Sequence, residues 1–315
     1  FVFVSWLLRR SPNPITAILL QPQSIPSRTQ RETERSPAPN HQTTMKMQHS
    51  LRVQPARVTA APSAPRFVTR KNVRTSTVRH ASVSSSTEPS PQVNWDELGF
   101  GLQHVADTMY VATCPIGSSA WTGSLQSYAP LSLYPSAQVL NYGQSVFEGM
   151  KAQRTEAGHI VLFRPDCNAA RMQDGAARLS MSCPSTEEFV AAVESVVKAN
   201  ASMVPPLGKG SLYLRPLLMG TGPILGLGPA PEYTFCVYCA AVGSYFKGGQ
   251  LTPIDLKVDT QYHRSAPRGM GGTKAAGNYS PVLVQQLKAK GEGYSDVLYL
   301  DASEDRYLEE VGTET

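Results

Sequence analysis

The chain has 315 residues, enough for two domains, and is 41% hydrophobic and 17% charged, which is globular composition rather than that of a disordered or fibrous chain. Its net charge of +5 is unevenly placed: residues 1–90 carry 13 Lys/Arg against 3 Asp/Glu, while residues 91–315 carry 16 against 21. The body is therefore mildly acidic, which excludes a nucleic-acid footprint there. Five cysteines at 114, 167, 183, 236 and 239 form an odd, scattered set, the pattern of a reducing compartment rather than a disulfide framework.

The chain opens on the apolar run 1–8, too short to cross a bilayer and lacking the basic-then-apolar order of a secretory signal. Residues 1–44 read as upstream sequence rather than structure. Residues 45–90 hold eight Lys/Arg and one acid (Glu88) among many Ser, Thr, Ala and Val. This is the composition of an organelle transit peptide, with the Ser/Ala/Val richness favouring plastid over mitochondrion. Residues 1–92 are expected to be a disordered leader outside the core.

From residue 94 the pattern is α+β. Residues 107–113, 139–142 and 158–164 have the β-favouring make-up of strands, and 166–179 reads as a helix. Ser185-Thr-Glu-Glu188 is a capping box that opens a second helix, with Phe189, Val190, Val193, Val196 and Val197 as its buried face. Residues 211–219 and 233–242 are two further strands. The second contains Cys236-Val-Tyr-Cys239, whose side chains, three apart on a strand, point to opposite faces. With no second pair at zinc spacing, they read as structural thiols, and no metal site is expected. Between these strands, Gly220-Thr-Gly222-Pro-Ile-Leu-Gly226 has its third glycine one position late for a dinucleotide fingerprint, so it reads as a shaped loop over a pocket.

Residues 244–249 read as an interdomain hinge and 253–259 as a strand. Then comes Arg268-Gly-Met-Gly-Gly-Thr-Lys274-Ala-Ala-Gly-Asn-Tyr279, a lone lysine among small residues. It is not a Walker A loop, since Ala275 follows the lysine. Such a loop can bring an amine against a bulky flat ligand, and a neutral lysine there can form a Schiff base with an aldehyde. Residues 280–290 read as a helix, with Val282, Leu283 and Leu287 on one side and Gly291 as its stop. Residues 296–301 and 306–311 read as a strand–turn–strand pair, in which Glu309 and Glu310 point to opposite faces.

The lysine motif and the later Tyr307-Leu-Glu-Glu310-Val-Gly-Thr313 are joined by three earlier ones: Asn94-Trp-Asp-Glu-Leu-Gly-Phe-Gly-Leu102, Tyr142-Gly-Gln-Ser-Val-Phe-Glu-Gly149 and Ser211-Leu-Tyr-Leu-Arg-Pro216. In that order they resemble the fold-type IV pyridoxal-phosphate transaminases, and among them the plastid-type branched-chain-amino-acid aminotransferases. The resemblance implies a two-domain α+β enzyme. A small N-terminal domain would span 94–243 and the first part of a larger cofactor domain 250–315. That second domain would be incomplete here, because family members continue past the position of Thr315.

The resemblance also implies roles. Lys274 would hold pyridoxal 5′-phosphate and move the proton. Arg171 and Arg264 would lie on the phosphate side, Tyr279 at the phenolic oxygen and Glu310 at the pyridine nitrogen. Phe100, Tyr142, Phe147 and Tyr245 would line an apolar substrate pocket, and Tyr213 and Arg215 would position the substrate carboxylate. Arg268 reads as a solvated turn residue. The implied reaction is reversible amino transfer between Leu, Ile or Val and 2-oxoglutarate, giving branched-chain 2-oxo acids and glutamate, in a homodimer with no nucleic-acid or membrane partner. Alternatives are a D-amino-acid transaminase or aminodeoxychorismate lyase of the same fold, or an inactive fragment.

Overall fold

The computed structural model describes residues 80–83, 87–243 and 253–312, with the backbone alone described at 80–83. The expected hinge at 244–249, Tyr245, Thr313 and the leader before residue 80 lie outside the described residues. The described residues all fall within one compact unit, 69–315.

The larger sheet contains β1 (His80–Val83), β2 (Thr108–Pro115), β3 (Thr122–Ser127), β4 (Ser145–Phe147), β5 (Met150–Arg154), β6 (Ile160–Phe163), β7 (Ser211–Gly220) and β8 (Glu232–Val242). Its order is β1-β6-β5-β7-β8-β2-β3, with β4 also pairing β7, and every pairing is antiparallel. β1 corrects the expectation that nothing before residue 93 joins the fold. Its backbone pairs with β6, His80 opposite Phe163 and Val83 opposite Ile160. Without it, β6 would be a bare sheet edge with unpaired amides, which is why a short β-compatible segment suffices to cover it.

β7 and β8 form the centre of this sheet. Along β7, Leu212, Leu214 and Leu218 are fully buried, while the intervening Tyr213 and Arg215 are only partly so. The two-residue period of a strand thus separates a core face from a site face. The core face packs against α2 (Pro165–Arg178) and α3 (Thr186–Ala199), joining Phe235 and Val237 to Met172, Phe189, Val193 and Val197. The capping box forms as read: the Ser185 hydroxyl accepts from the Glu188 amide at 3.2 Å, and the Ser185 amide donates to the Glu188 carboxylate at 2.7 Å. Cys236 and Cys239 are buried in β8, and burial pushes both thiols up to about 12.

Residues 139–142 are not a strand. They belong to α1 (Gln138–Tyr142), which ends at Gly143 with φ 66° and its amide on the Val139 carbonyl at 3.1 Å. Asn141 further closes the turn by donating to the carbonyls of Pro135 and Ala137. A left-handed glycine stop outweighs the β preference of Val, Leu and Tyr over so few residues.

The smaller sheet has the order β11-β10-β9, from β9 (Leu256–Asp259), β10 (Asp296–Leu300) and β11 (Leu308–Val311). β9 starts three residues later than expected. β9 and β10 are parallel, so the chain between them must cross over, and that crossover holds the lysine loop and α4 (Leu283–Gly291). Within it the expected helical face is corrected. Val282 and Ala289 are buried with Val297 and Tyr299, while Leu283 and Leu287 are exposed. Residues 280–282 form a 3-10 turn before the α-helix, and its tighter winding shifts the phase of everything after it.

Candidate active site

β4 brings the two sheets' functional residues together. One edge pairs with β7, Phe147 opposite Leu217. Its other edge meets the lysine loop: Val146 bridges Ala275, and the Phe147 amide donates to the Lys274 carbonyl at 3.2 Å. The loop is braced from within by Asn278, whose side-chain amide donates to the carbonyls of Met270 and Thr273 at 2.7 and 2.8 Å. Gly271 is required where the loop passes Ser265, because a Cβ there would fall 2.0 Å from the Ser265 Cβ.

Lys274 Nζ then donates to the Tyr279 hydroxyl at 3.3 Å and lies 4.9 Å from the centre of the Phe147 ring. Phe147 packs edge-on against Tyr279 at 4.9 Å. The Arg215 guanidinium stands over Phe147 at 4.8 Å and donates to the Tyr213 hydroxyl at 3.0 Å, and Phe100 meets Tyr213 edge-on at 5.7 Å. Phe100, Tyr213, Arg215, Phe147, Lys274 and Tyr279 therefore form one continuous cluster, although they come from separated stretches of chain. Tyr142 is set apart: its hydroxyl donates to the Leu225 carbonyl at 3.1 Å, pinning the exposed 221–231 loop to α1.

Arg264, expected on the phosphate side, stands under the Tyr279 ring at 5.1 Å and against Glu310. Its side chain is 1% exposed, and its Nη2 is 3.7 Å from Glu310 Oε1, which is an ion pair too long to be a hydrogen bond. Its three side-chain nitrogens and Glu310 Oε1 are buried without hydrogen-bond partners. Burial pushes the Glu310 carboxyl up, Arg264 pulls it down, Glu309 raises it and Lys274 lowers it. Glu309 accepts from the Ser265 hydroxyl at 2.6 Å, and both glutamates reach the same cleft although strand alternation predicts opposite faces for them. Arg268 is an exposed turn residue with φ 66°. A cleft of about 470 Å³ is lined by Arg171, Gly271, Gly272, Lys274, Glu309, Glu310 and Val311, a volume in the range of small-molecule sites.

Sequence reasoning passes over Glu148. It is 0% exposed and accepts from Arg171 Nε at 2.7 Å, Arg171 Nη2 at 2.6 Å and Asn168 Nδ2 at 2.8 Å. Hydrogen bonding to Glu148 raises the Arg171 guanidinium further, against the lowering effect of burial. A signal exists: Asn168 and Arg171 are three apart on α2 and so share a helix face, and Glu148 is a lone acid between two short strands.

The residues suit a phosphorylated aromatic aldehyde: an amine on a glycine loop, a phenol beside it, a carboxylate with an unfilled acceptor, and a guanidinium at the cleft wall. The family Amino-transferase class IV matches residues 145–313, and the chain belongs to it. The chain is 52% identical over 241 residues to branched-chain-amino-acid aminotransferase 3, chloroplastic, of Arabidopsis thaliana, covering 76% of this chain and 58% of that one. It is 53% identical over 229 residues to the chloroplastic branched-chain amino acid aminotransferase 2 of Humulus lupulus, covering 73% and 56%. Among solved structures, the branched-chain amino acid aminotransferase from Escherichia coli is 25% identical, with a TM-score of 0.51 over 66% of this chain and 61% of that one. The chain thus spans a little under 60% of the length of these curated relatives.

Proposed function

We propose that this chain is part of a plastid branched-chain-amino-acid aminotransferase, using pyridoxal 5′-phosphate to pass amino groups between Leu, Ile or Val and 2-oxoglutarate, within a homodimer. The observation that carries it is the Lys274 amine, which stands 3.3 Å from the Tyr279 hydroxyl and lines a cleft shared with Arg171 and Glu310. The chloroplastic names of the similar plant proteins support the compartment and the substrate class.

Lys274, Tyr279, Glu310 and Arg171 would hold the cofactor, with Arg264 behind Glu310 and Tyr279. When bound, pyridoxal phosphate supplies an electron sink for charge released at a substrate Cα. Lys274 Nζ, once neutral, would take the proton from that Cα and deliver it to the cofactor within the same half-reaction, and would run the same transfer in reverse in the second half-reaction. Burial holds the Glu310 carboxyl above the usual carboxylate range and Arg264, 3.7 Å away, offsets part of that rise; in its ionised form the carboxylate would accept a hydrogen bond from a protonated ring nitrogen. Tyr213 and Arg215, already hydrogen-bonded to each other, would orient the substrate carboxylate, while Phe147 and Phe100 would offer apolar surface to its aliphatic side chain.

Tested on the full-length protein of which this chain is part, supplied with pyridoxal phosphate and 2-oxoglutarate, Leu, Ile and Val should each yield glutamate. D-amino acids should not, and Lys274→Ala should yield none. Equal activity with D-alanine would overturn the substrate class.

A further inference from the structure

We propose that Glu148 is a positioning residue for phosphate-monoester binding, fixing the Arg171 guanidinium so that the edge it leaves unused serves the cleft. This rests on the reading of Arg171 as the phosphate-binding arginine. Glu148 is wholly buried, and a buried carboxylate is tolerated only when its oxygens are filled. Both are: Oε1 by Arg171 Nε, and Oε2 by Arg171 Nη2 and Asn168 Nδ2.

The Glu148 main chain is itself held in place. Its own amide donates to the Pro216 carbonyl at 2.8 Å, and the preceding amide, of Phe147, donates to the Lys274 carbonyl. One short stretch therefore sets both the lysine loop and the arginine. The side-on contact occupies Nε and Nη2 and leaves Nη1 outside it, while the Arg171 side chain stays 43% exposed on the cleft wall. An arginine held this way loses little further rotamer freedom on meeting an anion. Charge alone argues the other way, since Glu148 cancels the positive field of Arg171. Positioning and simple electrostatics therefore predict opposite signs when the carboxylate is neutralised.

The experiment compares the full chain with Glu148→Gln, Asn168→Ala and Arg171→Gln. Binding of pyridoxal phosphate and of unphosphorylated pyridoxal is titrated by fluorescence, alongside thermal melting. Glu148→Gln is expected to weaken pyridoxal phosphate about 10-fold or more, the scale of a charged hydrogen bond, while pyridoxal changes less than about twofold. Asn168→Ala, which leaves both charges in place, should shift binding the same way by about two- to fivefold, and it serves if Glu148→Gln does not fold. Equal loss for both ligands, or unchanged or tighter pyridoxal phosphate binding, would overturn the proposal. If Arg171→Gln loses phosphate selectivity and the Glu148 and Asn168 variants do not, the positioning role alone fails. If Arg171→Gln shows no selective loss, the phosphate reading fails and the proposal with it.

Discussion

Arg171 and Glu148 are unequal partners, because one is half exposed and the other has no contact with solvent. Removing the arginine strands a buried carboxylate, whereas removing the carboxylate leaves a cation that water can still reach. Arg171→Ala is therefore expected to destabilise the fold by about 3–5 kcal/mol, the usual effect of breaking a buried pair. Glu148→Gln should cost clearly less, and urea unfolding of the two variants checks the order. Residues whose role depends on local spacing are legible in the sequence. Lys274 and Tyr279, five apart on a glycine-rich loop, meet at 3.3 Å. Glu148 is harder to read, because its only signal is the Asn168–Arg171 spacing on a helix that begins 17 residues later. The resemblance implies a phosphate-side role for Arg264; its neighbours Glu310 and Tyr279 are contacts that no one-dimensional spacing discloses.

At the scale of elements, α3 shows what local chemistry settles alone. Its capping box and its apolar face at 189, 193, 196 and 197 stand as the residues imply, while Val190, expected on that face, is only partly buried. Ser185→Ala removes the acceptor for the Glu188 amide and should cost about 1 kcal/mol, read as a lower denaturant midpoint with an unchanged slope. α1 and α4 show where local reading fails. A five-residue segment rich in Val, Leu, Asn and Tyr carries too little periodicity to outvote the glycine that ends it. In α4 a single 3-10 turn rotates the helix, changing which apolar residues face the sheet. β1 escapes a compositional reading because basic, serine-rich make-up describes a segment's average character, and four backbone pairings do not alter that average.

Across the whole molecule, burial of free thiols links stability to alkaline pH. Burial pushes Cys183, Cys236 and Cys239 from 9.0 up to about 12. A folded-state value above the unfolded one means the fold keeps protons that the unfolded chain releases. The contribution is full below about pH 9 and is lost as pH rises toward 12, by up to about 1.4 kcal/mol per pH unit for each thiol. Urea midpoints measured between pH 8 and 10.5 should fall progressively, and Cys236→Ser should flatten that fall.

The larger sheet, through β4, holds the glycine-loop Lys274 against Tyr279, and the functional reading stands or falls on the proposal that this lysine binds an aldehyde cofactor. The most direct test is the absorption spectrum of the purified chain with pyridoxal phosphate, taken beside Lys274→Ala. A near-visible band in the wild type, absent in Lys274→Ala and bleached by leucine, is the predicted result. A band of equal intensity in Lys274→Ala, or no band in either protein, would contradict it.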